Sequence, residues 1–285
     1  MGEKTGISWT DHSWNPWHGC HKVSAGCRGC YMFREKKRYG QDPNVVVRSK
    51  TTFTAPLKWK DPARVFTCSW SDWFIEEADA WRDEAWAIIE RTPHLTYQIL
   101  TKRPERIAGR LPWTDTPWSN VWLGVSAEDQ ATFNARWPIL RRTPAATRFL
   151  SLEPLLGGID LQPALYEYLD HWVWPQWIIT GGESGPDARP SHPGWFRAIR
   201  DHAVGAGIPF HFKQWGEYAV VPKRQEGIGR MVRAGDVVVT AEGQRAEIKS
   251  NLSCDLEGQG VPMRRVGVRT AGHVLDGRTW HEFPR

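Results

Sequence analysis

Apolar segments of four to six residues recur along the first 218 positions of the chain, and each is followed by a polar cluster. Between them lie stretches whose apolar residues recur with helical spacing, as Ala85, Trp86, Ile88 and Ile89 do. A repeat of strand, polar tip and helix is typical of a parallel α/β sheet or barrel, so the sequence predicts an α/β fold. The predicted strands cover residues 64–68, 95–100, 121–125, 147–150, 177–180 and 209–212.

The sequence also predicts an initial strand, a β-rich C-terminal region and helices between the strands. An initial strand is expected around residues 7–9. Residues 219–285 are rich in Gly, Arg and Val, with alternating stretches that favour short β-strands and turns. We therefore predict an α/β domain over residues 1–218 and a β-rich extension over residues 219–285. The predicted helices cover residues 32–39, 80–91, 130–140 and 195–206, and a further helix is expected from about residue 105.

Polar residues follow the predicted strands at the points where the strands end. In parallel α/β folds the carboxyl ends of the strands form the edge where active sites are built. One polar residue after a strand is commonly a loop residue or a helix cap, but its recurrence after successive strands favours a functional edge. These polar tips cover residues 69–72, 101–104, 126–129, 151–154, 181–184 and 213–215.

Three of the five cysteines, Cys20, Cys27 and Cys30, fall within eleven residues, and a glycine precedes each of them. Three thiolates suit an iron–sulfur cluster that keeps one iron open, or a metal with an open coordination site. A structural zinc site is the alternative, with His18 or His21 as the fourth ligand. The spacing favours neither metal, and an odd number of cysteines argues against a disulfide framework.

Composition narrows the possible partners. The net charge of +5 and the pI near 9.0 permit a nucleic-acid partner without requiring one. The eighteen tryptophans are expected to lie mostly in the core, although some flat rings are suited to stacking on bases. No apolar run resembling a signal peptide or a membrane span is present, so a cytoplasmic location with reduced cysteines is expected.

Short motifs are spread along nearly the whole chain. They are the cysteine loop, ISWT at 7–10, WNP at 14–16, LTKRP at 100–104, SLEPLL at 151–156, GGESG at 181–185, KQWG at 213–216 and LDGR at 275–278. On these motifs the chain is identified as a member of the phage Gp37/Gp68-like (DUF5131) family, which is similar to radical S-adenosylmethionine (SAM) enzymes, especially spore photoproduct lyase. The usual radical SAM spacing is Cys-x3-Cys-x2-Cys, whereas this chain has six residues between Cys20 and Cys27.

The resemblance implies a fold, a pair of cofactors and a reaction class. The expected fold is a partial (β/α)6 TIM-like radical SAM barrel with a small β-rich C-terminal extension. Cys20, Cys27 and Cys30 would hold a [4Fe–4S] cluster whose open iron binds SAM. One electron, supplied by a donor such as flavodoxin or ferredoxin, would cleave SAM to a 5′-deoxyadenosyl radical that removes a hydrogen atom from the substrate.

Similarity to the lyase also suggests which residues contact SAM. Ser69 and Ser71 would contact its amino or carboxylate group, and Lys102 would pair with the carboxylate. Ser126 and Glu128 would hold the ribose hydroxyls. The alternative for Lys102 is that it caps an exposed rim together with Arg103. The glycines at 181–182 are expected to form a tight turn beside the substrate rather than a SAM-binding motif.

The expected substrate is a modified thymine in phage DNA, which would have to be flipped out of the duplex. The reaction would rearrange an amino acid carried on the thymine methyl group, or perform another carbon-centred step on a base. The residues expected to grip the zwitterionic amino-acid group are Glu153, Glu183, Arg189, His192 and Lys213. Alternatively, the two glutamates hold the ribose, or they form ion pairs with Arg189 or Lys213.

Two other functions are consistent with the sequence. One is a non-catalytic nucleic-acid-binding module that holds zinc through the three cysteines and His18 or His21. The other is a radical SAM enzyme that acts on a peptide or a small metabolite. Cys68 is expected to be a small apolar residue of the core, and Cys254 lies in the C-terminal region without an expected role.

Overall fold

The computed structural model describes residues 5–162, 174–222, 230–250, 253–256 and 258–284. In chain order the strands are β1 (His12–Trp14), β2 (Trp17–His18), β3 (Val47–Arg48), β4 (Ala63–Thr67), β5 (Leu95–Thr101), β6 (Val121–Ser126), β7 (Thr147–Leu152), β8 (Trp177–Gly181), β9 (Phe210–Gln214), β10 (Tyr218–Val220), β11 (Val237–Thr240), β12 (Arg245–Glu247), β13 (Gly260–Arg265), β14 (Val274–Leu275) and β15 (Arg278–Thr279). The α-helices are α1 (Tyr31–Arg38), α2 (Asp79–Glu90), α3 (Gln130–Arg142), α4 (Pro193–Gly205) and α5 (Val268–Ala271).

A seven-stranded sheet with the strand order β1-β4-β5-β6-β7-β8-β9 is the main element of the fold. The pairs β1–β4, β4–β5, β5–β6, β6–β7 and β8–β9 are all parallel. The predicted α/β class is therefore confirmed. The described residues divide into two compact units, the first with residues 5–126, 134–151 and 174–177, the second with 127–133, 152–162 and the described residues from 178 onward.

The first unit contains the strands from β1 to β7 and the helices α1 and α2. Strands β5 and β6 are buried at most of their positions, as expected for parallel strands covered on both faces. Helix α2 buries Ala85, Trp86, Ile88 and Ile89, the four residues whose spacing predicted it. Packing of this apolar face, rather than helix propensity, is what holds such a short helix in place.

The second unit contains β8, β9 and an antiparallel sheet with the order β10-β13-β11-β12. The predicted domain boundary at residues 218 and 219 falls within β10. The C-terminal segment lies along β9, because Phe212 donates its backbone N–H to the carbonyl of Trp280 and His211 forms a bridge with His281. This segment covers backbone groups that an edge strand would otherwise expose.

Two predicted elements are wrong. The first strand lies at β1 instead of residues 7–9, because Ile7 and Thr10 close a turn through their backbone groups. No α-helix is found across the described residues 102–120; a single 3-10 turn at Pro104–Arg106 follows β5. Gly109, with φ +70°, and the prolines farther along this segment prevent a helix from continuing. The β/α alternation is thus interrupted between β5 and β6.

Among the described residues, no helix has both the length and the apolar character needed to cross a membrane.

Gly124 on β6 is expected to be essential for packing, because the ring of Phe149 on β7 occupies the space that a side chain would need. A Cβ on Gly124 would lie 2.4 Å from a ring atom of Phe149. We expect Gly124→Ala to lower the free energy of unfolding by about 1–3 kcal/mol in urea denaturation, the range for overpacking a core.

The variant Gly124→Ala/Phe149→Leu should recover part of this loss, because the smaller side chain frees the space. Gly205→Ala is the matched control, since nothing lies within 4 Å of a Cβ there. Equal effects of Gly124→Ala and Gly205→Ala would show that the contact with Phe149 is unimportant.

Candidate functional site

The cysteine loop of the first unit lies between β2 and α1 and carries three free thiols. Cys27, at the end of a 3-10 turn, is buried, and Cys20 and Cys30 are partly exposed. Gly19 has φ +104°, and a Cβ there would lie 2.3 Å from the carbonyl oxygen of Val45. Glycine is therefore required immediately before Cys20, as the sequence suggested.

The carboxylate of Asp72 connects the C-terminal ends of β4 and β5 through hydrogen bonds. Its Oδ1 accepts hydrogen bonds from the hydroxyl of Thr101 at 2.7 Å and from the backbone N–H of Phe74 at 3.0 Å. Its Oδ2 accepts from the backbone N–H of Lys102 at 2.9 Å and from Nη1 of Arg103 at 3.2 Å. The carboxylate is 4% exposed, so these bonds replace its hydration.

Arg103, which bonds to Asp72, also forms hydrogen bonds with the cysteine loop. Its Nη1 lies 3.7 Å from the Sγ of Cys20, within hydrogen-bonding distance of sulfur, and its Nη2 donates to the carbonyl of His21 at 2.8 Å. Arg103 is itself only 7% exposed. A buried ion pair between two strand tips thus fixes the position of Cys20.

The electrostatic environments of Cys20 and Cys27 differ. Burial, reinforced by the negative charge of Asp72 and opposed by Arg103, raises the pKa of Cys20 to about 12. Burial also acts to raise the pKa of Cys27, but the positive charge of Lys102 and hydrogen bonds within the preceding turn outweigh it, so the pKa is lowered. In the absence of a metal, Cys27 is therefore the more readily ionised of these two thiols.

The predicted serine ligands hold the loop at the tip of β4. Ser71 donates its hydroxyl to the carbonyl of Gly19 at 2.6 Å, and Ser69 exchanges hydrogen bonds with the side chain of buried Asn15. The hydroxyl of Tyr31 donates to the carbonyl of Ser69. Contact of either serine with SAM stays a prediction, and their observed bonds brace the loop.

The two histidines proposed as zinc ligands lie in different surroundings. His21 contacts the carboxylate of Glu77 and is exposed. His18 lies on β2, and its Nδ1 is buried without a hydrogen-bond partner among the described residues. Burial, followed by the charge of Lys36, lowers the pKa of His18, which keeps the ring neutral as a metal ligand requires.

In the second unit, Glu183 and Arg189 form a bidentate ion pair. Arg189 donates Nε to Oε2 at 2.7 Å and Nη2 to Oε1 at 2.6 Å, and its backbone N–H also reaches Oε2 at 2.9 Å. Glu183 is 5% exposed. The hydrogen bonds that Arg189 donates to Glu183, together with the charges of Glu183 and of fully buried Glu128, raise the pKa of Arg189, which remains a cation.

Glu153 pairs with Lys213, whose Nζ lies 3.0 Å from Oε2. Glu153 directly follows β7, and Lys213 lies within β9, one residue before its end. His192 has a local role, because its Nδ1 accepts a hydrogen bond from the N–H of Gly194 at 3.1 Å and so caps α4. A substrate role for these three residues remains a prediction.

Ser126 and Glu128, the predicted ribose ligands, are both buried. The carbonyl of Ser126 accepts a hydrogen bond from Arg136 at 2.7 Å. The carbonyl of Glu128 accepts from the N–H of Leu156 at 2.7 Å. These backbone contacts show how each residue is held, and the predicted contacts with ribose stay untested.

A tight turn was expected at residues 181–182, but Gly181 is the last residue of β8 and the next turn lies at residues 186–187. What Gly182 and Gly216 provide is a close approach of two backbone segments. A Cβ on Gly182 would lie 1.9 Å from the carbonyl oxygen of Trp215, and one on Gly216 would lie 2.3 Å from that of Glu183. The two backbone segments approach so closely that neither position admits a side chain.

Comparison with known proteins identifies the family. The family model described as "Protein of unknown function (DUF5131)" matches residues 4–284. The chain belongs to the DUF5131 family. No significant match was found among curated proteins or among solved structures. The family assignment confirms the expected membership and leaves the radical SAM resemblance untested.

Sequence reasoning about this DUF5131 chain missed the roles of Asp72 and Asn15 and treated Arg103 as a possible rim cap. Asp72 and Arg103 do stand at consecutive strand tips, and an acid and a base at such positions are a signal for a pair across the sheet edge. Their burial and their contact with Cys20 depend on tertiary structure.

Among the residues that the structure describes, no three His, Cys, Asp or Glu side chains are gathered to hold a metal ion. A cluster at the cysteine loop therefore remains a proposal that rests on the chemistry of the loop.

Removing Asp72 should destabilise the protein, because Arg103 would keep a buried charge without its partner. We expect Asp72→Ala to lower the free energy of unfolding by about 3–5 kcal/mol in urea denaturation, the range for breaking a buried pair.

The double variant Asp72→Ala/Arg103→Met should be less destabilised than Asp72→Ala, since no unpaired charge is left. Exposed Asp61 provides the control variant Asp61→Ala, expected to change stability by less than about 0.5 kcal/mol. A double variant at least as unstable as Asp72→Ala would contradict this account.

Removing the charge of Lys102 should make the thiol of Cys27 harder to ionise. In Lys102→Gln, we expect the pKa of Cys27 to rise and its alkylation by iodoacetamide below that pKa to slow, because thiolate is the reactive form. The measurement is peptide mass spectrometry of the metal-free protein across a pH series.

The control for this experiment is Lys37→Gln, which removes an exposed charge from α1. It should leave the pH profile of Cys27 unchanged. If both variants shift the profile equally, the effect comes from net charge and not from Lys102.

Proposed function

We propose that this protein is a radical SAM enzyme that binds a [4Fe–4S] cluster through Cys20, Cys27 and Cys30 and modifies a thymine-derived base in phage DNA. The observation that carries the proposal is the cysteine loop itself, which presents three free thiols beside the cations Lys102 and Arg103. When bound, the cluster and SAM would supply an electron and a 5′-deoxyadenosyl radical that abstracts hydrogen from the substrate.

The donor set suits a cluster that keeps one iron free of protein ligands. A fourth cysteine of the first unit, Cys68, is buried, with 3% of its surface exposed. Its burial raises the pKa of its thiol well above the usual value, so it remains a protonated core residue. Three thiols are then left as ligands, which matches a site with an open position.

The positive charges of Lys102 and Arg103 would stabilise cysteine thiolates in the loop. Lys102 favours the thiolate of Cys27, and Arg103 donates a hydrogen bond toward the sulfur of Cys20. Cations near thiolate ligands offset the negative charge that they bring into a partly dry environment. Ser69, Ser71 and Lys102 are the proposed contacts for the amino and carboxylate groups of SAM.

The proposed roles of Ser126 and Glu128 are hydrogen bonds to ribose hydroxyls. Burial of both residues supports this assignment, because a site for a radical must exclude water. The proposed electron donor is a flavodoxin or a ferredoxin.

For substrate binding we propose Glu153, Glu183, Arg189, His192 and Lys213. Their charges, two acidic and two basic beside a histidine, match a zwitterionic amino-acid group attached to the base. The ion pairs Glu183–Arg189 and Glu153–Lys213 hold these groups ready in the absence of substrate. Binding would exchange part of each internal contact for a contact with the ligand.

A zinc-holding nucleic-acid module is the second candidate. The buried Nδ1 of His18, which lacks a hydrogen-bond partner among the described residues, is the observation that favours it. A metal ion would satisfy such a nitrogen.

Anaerobic reconstitution with iron and sulfide tests the proposal. We expect a brown protein with about four irons that cleaves SAM under strong reductant. Cys27→Ala should lose most of the iron and the SAM cleavage, because one of three cluster ligands is missing.

The matched control is Cys254→Ala, which removes a free cysteine of the second unit and should keep iron and activity. A colourless protein with one zinc that leaves SAM intact would overturn the proposal in favour of the second candidate.

The substrate class is tested with the same reconstituted protein. Hypermodified phage DNA should be altered and should stimulate SAM cleavage, whereas free nucleosides, peptides and small metabolites should not. Activity confined to free small molecules, without DNA binding at low salt, would contradict the DNA assignment while leaving the radical SAM chemistry in place.

A further inference from the structure

Five tryptophans of the first unit form a continuous series of neighbouring rings that begins next to the cysteine loop. Ring centroids are 5.0 Å apart for Trp17 and Trp73 and 4.9 Å apart for Trp73 and Trp86. Trp86 then lies 5.6 Å from Trp113 and 6.0 Å from Trp118, which are 5.6 Å from each other. All these spacings are those of directly contacting aromatic pairs.

The inner end of this tryptophan series is connected to the candidate metal site. Trp17 precedes Cys20 by three positions in the chain, and its Nε1 donates to the backbone carbonyl of Asp72 at 3.1 Å. The carboxylate of Asp72 pairs with Arg103, which contacts the sulfur of Cys20.

The outer end of the series reaches solvent. Trp17 and Trp73 are completely buried and Trp86 is 3% exposed, whereas Trp113 is 9% exposed and Trp118 is partly exposed. Trp113 and Trp118 lie in the segment between β5 and β6 that was predicted to be helical. The series therefore runs from the cysteine loop to the surface.

Trp73 lies between Trp17 and Trp86 in the series. Its indole Nε1 is buried and has no hydrogen-bond partner among the described residues. Leaving such a donor unpaired costs about 1–3 kcal/mol, which a phenylalanine at this position would avoid. The property that indole has and a phenyl ring lacks is easy one-electron oxidation.

We propose that Trp17, Trp73, Trp86, Trp113 and Trp118 form a hole-transfer chain that carries oxidising equivalents from the cysteine loop to the surface. The oxidant is a high-potential radical formed at the loop, such as hydroxyl radical, which takes one electron from Trp17 and one proton from solvent to become water. Each later step moves one electron from the next ring to the tryptophan radical cation, so no bond forms or breaks.

The surroundings of the rings favour this direction. Oxidised indole is acidic, but the Nε1 of Trp73 has no acceptor among the described residues. Its radical cation keeps its proton and is restored by an electron from Trp86. At partly exposed Trp118 the indole proton passes to water, leaving a neutral indole radical. A thiol then donates one hydrogen atom to this radical and becomes a thiyl radical, and two such thiyl radicals combine to form a disulfide.

The hole-transfer chain would protect the cysteine ligands of the proposed cluster from oxidation. Its test requires neither iron nor SAM. A ruthenium polypyridyl photosensitiser is attached to Cys30 in the full-length variant Cys20→Ala/Cys27→Ala/Cys254→Ala, in which the remaining Cys68 is buried. The protein is illuminated with persulfate as the irreversible electron acceptor, and oxidised tryptophans are located by peptide mass spectrometry.

We expect oxidation to accumulate at Trp113 and Trp118. In Trp86→Phe this oxidation should be lost from both and should move to Trp17 and Trp73. The matched control is Trp122→Phe, because Trp122 belongs to a separate aromatic group with Trp177 and should not change the pattern.

Because replacing Trp86 in the core can impair folding, Trp113→Phe/Trp118→Phe serves as a second variant. In this double variant, oxidised tryptophan should be found at Trp86. Oxidation confined to Tyr31 and Trp70 beside the label, or an unchanged pattern in both variants, would overturn the proposal. Failure of cluster binding would not affect this result, so the two hypotheses can fail separately.

Discussion

The buried ion pair between Asp72 and Arg103 is the interaction on which the arrangement of the first unit depends. Two ions removed from water are a net cost unless further hydrogen bonds satisfy them. Thr101, the backbone of Lys102 and the backbone of Phe74 supply those bonds to the aspartate. Arg103 forms its further hydrogen bonds at the cysteine loop, with the sulfur of Cys20 and the carbonyl of His21. The loop, β4 and β5 must therefore adopt their positions together.

This coupling gives the cysteine loop two chemically different sides. On one side Lys102 and Arg103 supply positive charge to Cys27 and Cys20. On the other, the N–H of Trp17 bonds to the backbone of Asp72, and fully buried tryptophans continue into the core. The cysteine loop therefore lies between two nearby cations and an aromatic interior.

In the second unit, buried Glu183 and partly exposed Glu153 are each paired with a cation of the same unit. Glu183 is satisfied by three donors of Arg189, and Glu153 by Lys213. The tight approach of Gly182 to Trp215 fixes the backbone that carries Glu183.

The sequence by itself determined the α/β class, the positions of the six predicted strands and the grouping of Cys20, Cys27 and Cys30, because alternation and cysteine spacing are local properties. Tertiary structure decided what depends on residues distant in the chain. In the structure the first strand is β1 and not residues 7–9, and a short 3-10 turn at Pro104–Arg106 stands where a helix was expected. Tertiary structure also paired Asp72 with Arg103, since burial and long-range partners are set only when strands align.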